Sequence, residues 1–93
     1  MINNNVLQRF RVFVPQAEQV FLSGDFNNWS TVAVPMERDA GGAWEVVLPL
    51  PLGTHQFYFF VINRHWNISG HSRSRVVPGG LVRIDEPATS AAA

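Results

Sequence analysis

The sequence predicts an all-β domain, folded as an antiparallel sandwich of about seven short strands. Apolar residues recur at every second position, and no apolar stripe at helical spacing continues for three turns. Glycine, proline, asparagine and aspartate separate these runs at short intervals, as in Asp39-Ala40-Gly41-Gly42. Short alternating segments with frequent turns are typical of two packed β-sheets.

Each predicted strand alternates its side chains between two faces, and one face is assigned to the core. Pro35 makes the third strand an edge strand, because proline cannot donate to a ladder. The polar residues 69–80 are predicted as a loop with a break at Pro78-Gly79-Gly80. The predicted strands are 7–14, 19–24, 31–36, 43–50, 55–62, a return through 65–67, and 81–84. The predicted core comprises Val20, Leu22, Phe26, Trp44, Val46, Phe57, Phe59 and Val61.

The 93 residues predict one domain, with residues 1–86 as the folded module and residues 87–93 as a flexible tail. The formal net charge is zero, so no overall field attracts the chain to nucleic acid or to an anionic membrane. Cysteine is absent, which excludes disulfides and thiolate chemistry. The start lacks the basic and apolar regions of a signal peptide, and no apolar run approaches the length of a membrane span. We therefore expect a cytoplasmic protein without a nucleic-acid or membrane partner.

The acidic and histidine residues are not spaced for catalysis or metal binding. Glycoside hydrolysis needs two carboxylates across the scissile bond, yet no acidic residue occurs between Glu45 and Asp85. His55, His65 and His71 are separated by nine and five residues, which matches no compact metal-binding spacing. We therefore expect a non-catalytic protein without a metal ion or another cofactor.

Residues 20–30 carry the first indication of function. The strand in this stretch breaks at Gly24-Asp25, and the apolar Phe26 is expected to return to the core. Asn27-Asn28 then makes a second turn, which places Trp29 at the end of a loop rather than inside a strand. A large flat ring on a well-specified turn suits stacking against a ligand.

The motifs along the chain follow the order and spacing of a known family. Gly24-Asp25-Phe26-Asn27-Asn28-Trp29 precedes Gly42-x-Trp44-Glu45, then Leu52-Gly53-x-His55-Gln56-Phe57, then Trp66. Over about residues 7–85 the chain resembles a family 48 carbohydrate-binding module. Members of that family include the glycogen-binding domain of the AMP-activated kinase β subunit and the N-terminal domains of isoamylases and branching enzymes. The resemblance implies an immunoglobulin-like (early-set) sandwich that binds α-1,4-linked glucans such as glycogen or starch, with a glucan-active enzyme or a kinase subunit as partner.

The resemblance also implies the residues of the binding site. Trp29 and Trp66 match the two tryptophans that flank the glucan in the family, and Tyr58 replaces a sugar-binding lysine of the kinase domains. Gly79-Gly80 replaces asparagines of the kinase domains, so we expect the site to depend on aromatic rings more than on polar contacts. The residues expected to orient the sugars by hydrogen bonds are Tyr58, Asn67 and Arg64.

Two alternatives to this function stay open. Tyr58 shares an outward strand face with Phe60 and Ile62, which suits a protein-interaction surface or a weak homodimer that has lost sugar binding. Four arginines in the second half of the chain, with aromatic residues nearby, would suit a polyanion. The zero net charge argues against that second alternative.

Overall fold

The computed structural model describes residues 5–63 and 74–85, and in that part the chain forms two antiparallel sheets of three strands each. The first sheet has the strand order β1-β4-β3, and the second has the order β2-β5-β6. No α-helix occurs among the described residues, and the predicted all-β sandwich is confirmed. The strands are β1 (Val6–Phe13), β2 (Ala17–Gly24), β3 (Glu37–Arg38), β4 (Ala43–Leu50), β5 (Gly53–Asn63) and β6 (Ser74–Ile84). The predicted return at 65–67 and the predicted tail 87–93 lie outside the described residues.

The core lies between the two sheets, because each sheet contributes the apolar face that its alternation predicts. Trp44 is 6% exposed, and its indole Nε1 donates a hydrogen bond to the carbonyl oxygen of Val14 at 3.0 Å, so this ring is structural. All eight predicted core residues lie in or against the core. The buried ones are Val20, Leu22, Trp44, Phe59 and Val61, and the half-buried ones are Phe26, Val46 and Phe57.

The third strand of the structure lies later in the chain than the strand predicted for residues 31–36. These residues contribute one isolated bridge, between Phe21 and Pro35, and ladder pairing starts only at Glu37. Pro35 lacks an N–H and cannot donate to a ladder hydrogen bond, and its pairing with β2 stays an isolated bridge. The segment still covers the open edge of β2, where the Leu22 N–H donates to the Val34 carbonyl oxygen at 2.9 Å.

Strand β6 corrects the prediction of a loop over residues 69–80. From Ser74 onward the chain pairs with β5, and this pairing continues through Pro78-Gly79-Gly80 to Ile84. A register shift between Phe57 and Tyr58 accommodates one extra residue on β6, which is the geometry of a β-bulge. Proline and glycine are tolerated there because β6 is an edge strand of its sheet. The Pro78-Gly79-Gly80 sequence, which was predicted to break the chain into a loop, therefore marks a β-bulge within a strand.

The hairpin turn predicted at residues 39–42 is confirmed, and Asp39 holds it together. Its Oδ1 accepts hydrogen bonds from the Ala43 N–H at 3.0 Å and from the Gly41 N–H at 2.8 Å. These two bonds lower the pKa of Asp39 below the usual value of 3.8, because they favour the charged carboxylate.

Within the described part of the chain, no helix has the length and apolar character that crossing a membrane requires.

Candidate functional site

The loop that carries the exposed tryptophan begins where β2 ends, at Gly24. A Cβ atom at Gly24 would lie less than 3.0 Å from the Phe26 ring and 2.7 Å from the Gln56 carbonyl oxygen, so no larger residue fits. The following residues, Asp25–Asn27, form a short 3₁₀ turn, here called η1. The strand-to-turn transition thus requires glycine because of close packing, since the backbone of Gly24 itself is extended with φ of −165°.

Asn27 fixes the shape of this loop through its side-chain amide. Its Oδ1 accepts a hydrogen bond from the Gly24 N–H at 3.1 Å, and its Nδ2 donates to the Leu22 carbonyl oxygen at 3.0 Å. The Trp29 N–H then donates to the Gly24 carbonyl oxygen at 2.9 Å. Three hydrogen bonds therefore connect the end of β2 to the residues before and at Trp29.

Trp29 itself has a strained backbone. Asn28 and Trp29 both have φ of 58°, in the left-handed region. Asparagine enters this region readily, but for a bulky L-residue it costs about 1–2 kcal/mol. Trp29 nevertheless keeps 42% of its surface exposed. Strain of this kind at an exposed aromatic residue supports a functional role, because burying the ring in the core does not compensate for the cost.

Asp25 and Phe26 attach the loop to the body of the sandwich. The Asp25 carboxylate accepts the Gln56 N–H at 2.9 Å through Oδ2, and its Oδ1 lies 3.1 Å from His55 Nδ1. The Phe26 ring packs 5.9 Å from the Phe10 ring centroid and 6.0 Å from that of His55. Phe26 is half-buried against the core, as the sequence predicts. The loop is therefore held on β5 by both polar and apolar contacts.

The ring of Trp29 stacks on Tyr58 of β5. The two ring centroids are 5.7 Å apart and the ring planes differ by 12°, which is a nearly parallel, offset arrangement. Beside this pair lies an open groove with a volume of about 450 Å³. Gln56, Phe57 and Tyr58 of β5 line it together with Trp29. The β6 residues that line it are Val76, Pro78, Gly79, Gly80 and Leu81.

The glycine pair in β6 shapes this groove. A Cβ at Gly79 would lie less than 3.0 Å from the Phe57 ring, whereas a Cβ at Gly80 would meet no atom within 4 Å. Gly80 also has φ of 114°, a conformation that residues with a side chain rarely adopt. From the sequence alone, this pair is expected only to lack a side-chain amide. The β6 contribution to the groove was missed because residues 69–80 were assigned to a loop.

The described part of the chain brings two of the five predicted site residues together. Trp29 and Tyr58 stack and line the same groove. The other three, Arg64, Trp66 and Asn67, lie outside the described residues, so their role stays a prediction. Phe60 and Ile62, the other members of the alternative interaction surface, are half-buried rather than exposed.

The described lining of the groove is mainly apolar and aromatic. Among the described residues that line it, none is charged, and Gln56 is the one side chain with an amide. Among the described residues, no three of His, Cys, Asp and Glu come close enough together to hold a metal ion. Arg83, one of the arginines considered for polyanion binding, pairs with Asp85 at 2.9 Å. Apolar and aromatic walls with few polar groups are typical of small-ligand sites.

Comparison with protein families adds an independent observation. A sequence model of the family described as carbohydrate-binding module 48 (isoamylase N-terminal domain) matches residues 4–78. The match covers the exposed loop, both sheets as far as Pro78, and the stacked pair of rings.

Curated proteins similar to the chain are branching enzymes. A 1,4-alpha-glucan-branching enzyme of Emericella nidulans is 51% identical over 45 residues, which are 48% of this chain and 7% of that enzyme. The enzyme of Nitrosomonas eutropha is 46% identical over 59 residues, 61% of this chain and 8% of its own length. The enzyme of Aquifex aeolicus is 36% identical over 61 residues, 63% of this chain and 10% of its own length. The chain therefore corresponds to a tenth or less of each of these three relatives.

Proposed function

The chain belongs to the carbohydrate-binding module 48 family, and we propose that it binds α-1,4-linked glucans on the Trp29–Tyr58 pair without catalysing their conversion. The observation that carries the proposal is the backbone of Trp29. A strained, hydrogen-bonded loop holds this ring at the surface, parallel to a second ring and beside an uncharged groove.

Stacking is the physical basis of the proposed binding. The faces of a glucose ring carry C–H groups and are apolar, whereas the hydroxyl groups point outward from the ring edge. Trp29 and Tyr58 lie nearly parallel, with ring planes that differ by 12°, so a glucan can stack on the ring surface that their mutual contact leaves open. By analogy with base stacking, each stacked sugar contributes about 1–3 kcal/mol.

The charge and shape of the groove favour a neutral polysaccharide over a polyanion. An anionic ligand would need lysine or arginine along its path, and the described residues of the groove lining include neither. With few side-chain donors in the described lining, we expect weak binding, with a Kd of about 0.1–1 mM, or roughly 4–5.5 kcal/mol.

The place of the module in a larger system is also a proposal. The matched relatives are branching enzymes of which the chain covers only a small part. We therefore propose that the module holds a glucan-active enzyme on its polymer, either as part of the same polypeptide or as a separate partner. A kinase subunit, by analogy with the AMP-activated kinase, is the second candidate partner.

Calorimetry with maltoheptaose tests the proposed site. We expect Trp29→Ala to weaken binding about tenfold or more, a loss of roughly 1.4 kcal/mol, while the far-ultraviolet circular dichroism stays that of a β protein. Phe13→Ala is the matched control, because Phe13 is also an exposed aromatic residue, 68% exposed on β1. Equal affinity of Trp29→Ala and the wild type would place the site elsewhere. Trp66→Ala tests the second ring that the family resemblance implies.

Self-association is the competing function, and the same proteins distinguish it. Val76 and Leu81 on the edge strand β6 are 54% and 66% exposed, which is the observation that favours a second copy as ligand. Concentration-dependent dimerisation in analytical ultracentrifugation, without any heat of maltoheptaose binding, would support this alternative and contradict glucan binding.

A further inference from the structure

We propose that His55 is a positioning residue for the glucan site, which holds the Trp29 loop on β5 most firmly while both of its ring nitrogens are protonated. Glucan affinity then falls as the pH rises. The affinity part of this proposal rests on the proposed function, whereas the loop part can be measured without a ligand.

The geometry around His55 requires two donors. Its Nδ1 lies 3.1 Å from Asp25 Oδ1, and its Nε2 lies 2.9 Å from the carbonyl oxygen of Pro51. A carboxylate oxygen and a carbonyl oxygen only accept hydrogen bonds, and neutral imidazole has a single N–H. Neutral His55 therefore leaves one of the two contacts as two facing lone pairs, whichever tautomer it adopts. The His55 side chain is 12% exposed and the Asp25 side chain is 38% exposed, so the contact is partly screened from water.

Asp25 connects His55 to the tryptophan loop. It is the first residue of η1, and its second oxygen accepts the N–H of Gln56, a residue that lines the groove. Gly24, immediately before Asp25, accepts the N–H of Trp29 at 2.9 Å. Deprotonation removes the positive charge that faces Asp25 in either tautomer, and the tautomer with the proton on Nε2 leaves Asp25 with one anchor on β5 instead of two. The position of the Trp29 ring then becomes less restricted.

The charges around His55 support this dependence on pH. Donation to the Pro51 carbonyl raises the pKa of His55 above the ordinary 6.5, burial opposes the rise, and Asp25 adds to it through its hydrogen bond and its charge. On the neighbouring strand the closest charged position by register is Arg83, opposite Thr54, and Arg83 is paired with Asp85. Asp25 is the sole charged residue of η1, and neither Pro51 nor Leu52 titrates.

The direction of the pH dependence follows from the difference between the folded-state and unfolded-state pKa of His55. The folded-state pKa lies above the unfolded value of 6.5, so the contribution of protonated His55 is complete below pH 6.5. It is lost as the pH rises through the folded-state pKa. Both the stability of the fold and the order of the Trp29 loop should therefore decrease on the alkaline side.

The test measures maltoheptaose affinity and the ring signals at about pH 5.5 and about pH 9, on either side of the histidine range. We expect the wild type to bind about fivefold more weakly at the higher pH, because part of the energy of one charge-assisted hydrogen bond is lost from the loop that holds Trp29. His55→Gln and Asp25→Asn should show nearly flat profiles. His71→Gln is the matched control, since it removes another histidine and should keep the wild-type profile.

Nuclear magnetic resonance separates this proposal from the proposed function. The His55 ring should titrate above 6.5, the Asp25→Asn variant should lower that midpoint, and the Trp29 indole signal should shift with the same midpoint. Affinity that is equal at both pH values, together with a loss in Trp29→Ala, would overturn the role of His55 and leave glucan binding intact. If maltoheptaose does not bind at all, a Trp29 indole signal that does not shift over the pH range in which His55 titrates overturns the proposal. If His55→Gln does not fold, the wild-type profile and Asp25→Asn still decide it.

Discussion

Replacing Tyr58 tests whether the second ring supports the first. The Tyr58 ring lies parallel to Trp29 with centroids 5.7 Å apart, and a pair of this kind contributes about 0.5–1.5 kcal/mol beyond its buried area. The left-handed backbone conformation of Trp29 costs about 1–2 kcal/mol. Because the two energies are similar, removing the supporting ring should release Trp29 from the orientation that the groove requires.

We expect Tyr58→Ala to lower maltoheptaose affinity by about fivefold, which corresponds to roughly 1 kcal/mol. Part of this loss comes from the missing ring surface and part from a smaller fraction of molecules with Trp29 in place. Tyr58→Phe keeps the ring and removes the hydroxyl group, so its affinity should stay within about twofold of the wild type. Calorimetry gives the affinities, and the near-ultraviolet circular dichroism reports the loss of the Trp29–Tyr58 pair.

Two results would refute this reasoning. Unchanged affinity in Tyr58→Ala would show that neither the ring nor its support of Trp29 matters, and loss of a dimer in the same variant would assign Tyr58 to an interaction surface. Equal losses in Tyr58→Phe and Tyr58→Ala would mean that the hydroxyl group, rather than the ring, binds the sugar.

Two further substitutions test the scaffold of the site. Asn27→Ala removes both hydrogen bonds of the loop amide and leaves the Gly24 N–H and the Leu22 carbonyl without that partner, so the free energy of unfolding should fall by about 1–3 kcal/mol in urea denaturation. An unaltered denaturation midpoint would contradict this. Gly79→Ala should destabilise by about 1–3 kcal/mol, because the added methyl group would overlap the Phe57 ring. Gly41→Ala, whose nearest neighbour would be Asp39 Oδ1 at 3.5 Å, should stay within about 0.5 kcal/mol.

The fold was largely predictable because its signals are local. Strict alternation over 43–50 and 55–62 assigned Trp44 and Phe59 to the core, and the structure buries both. Residues 74–80 were not predictable as a strand, since Pro78-Gly79-Gly80 is also the composition of a turn. These residues form a strand because of their pairing partner. Strand β5 extends to Asn63 and pairs with β6 along a full ladder. A single sequence does not show this tertiary contribution.

The site was predictable in its main ring but not in its support. The turn residues before Trp29 showed that this ring would stand at a loop end, and the structure places it there. Its left-handed φ was not predictable, because tryptophan has no propensity for that region and only the surrounding bonds impose it. The contact of His55 with Asp25 joins residues 30 positions apart, so no local sequence pattern predicts it.

The distribution of contacts supports the proposed binding site, although its described lining offers few polar groups. A lysine at position 58 would offer three donors, but binding would have to order a long flexible stem, at about 0.5–1.5 kcal/mol for an immobilised side chain. Here the ordering takes place during folding instead. Asn27 and Asp25 hold the loop through bonds outside the groove, and Tyr58 restricts the Trp29 ring from within it. A glucan that meets rings already in position loses little of its stacking energy to rearrangement of the protein. The weak binding proposed for this site fits a preorganised surface whose described lining carries no charge.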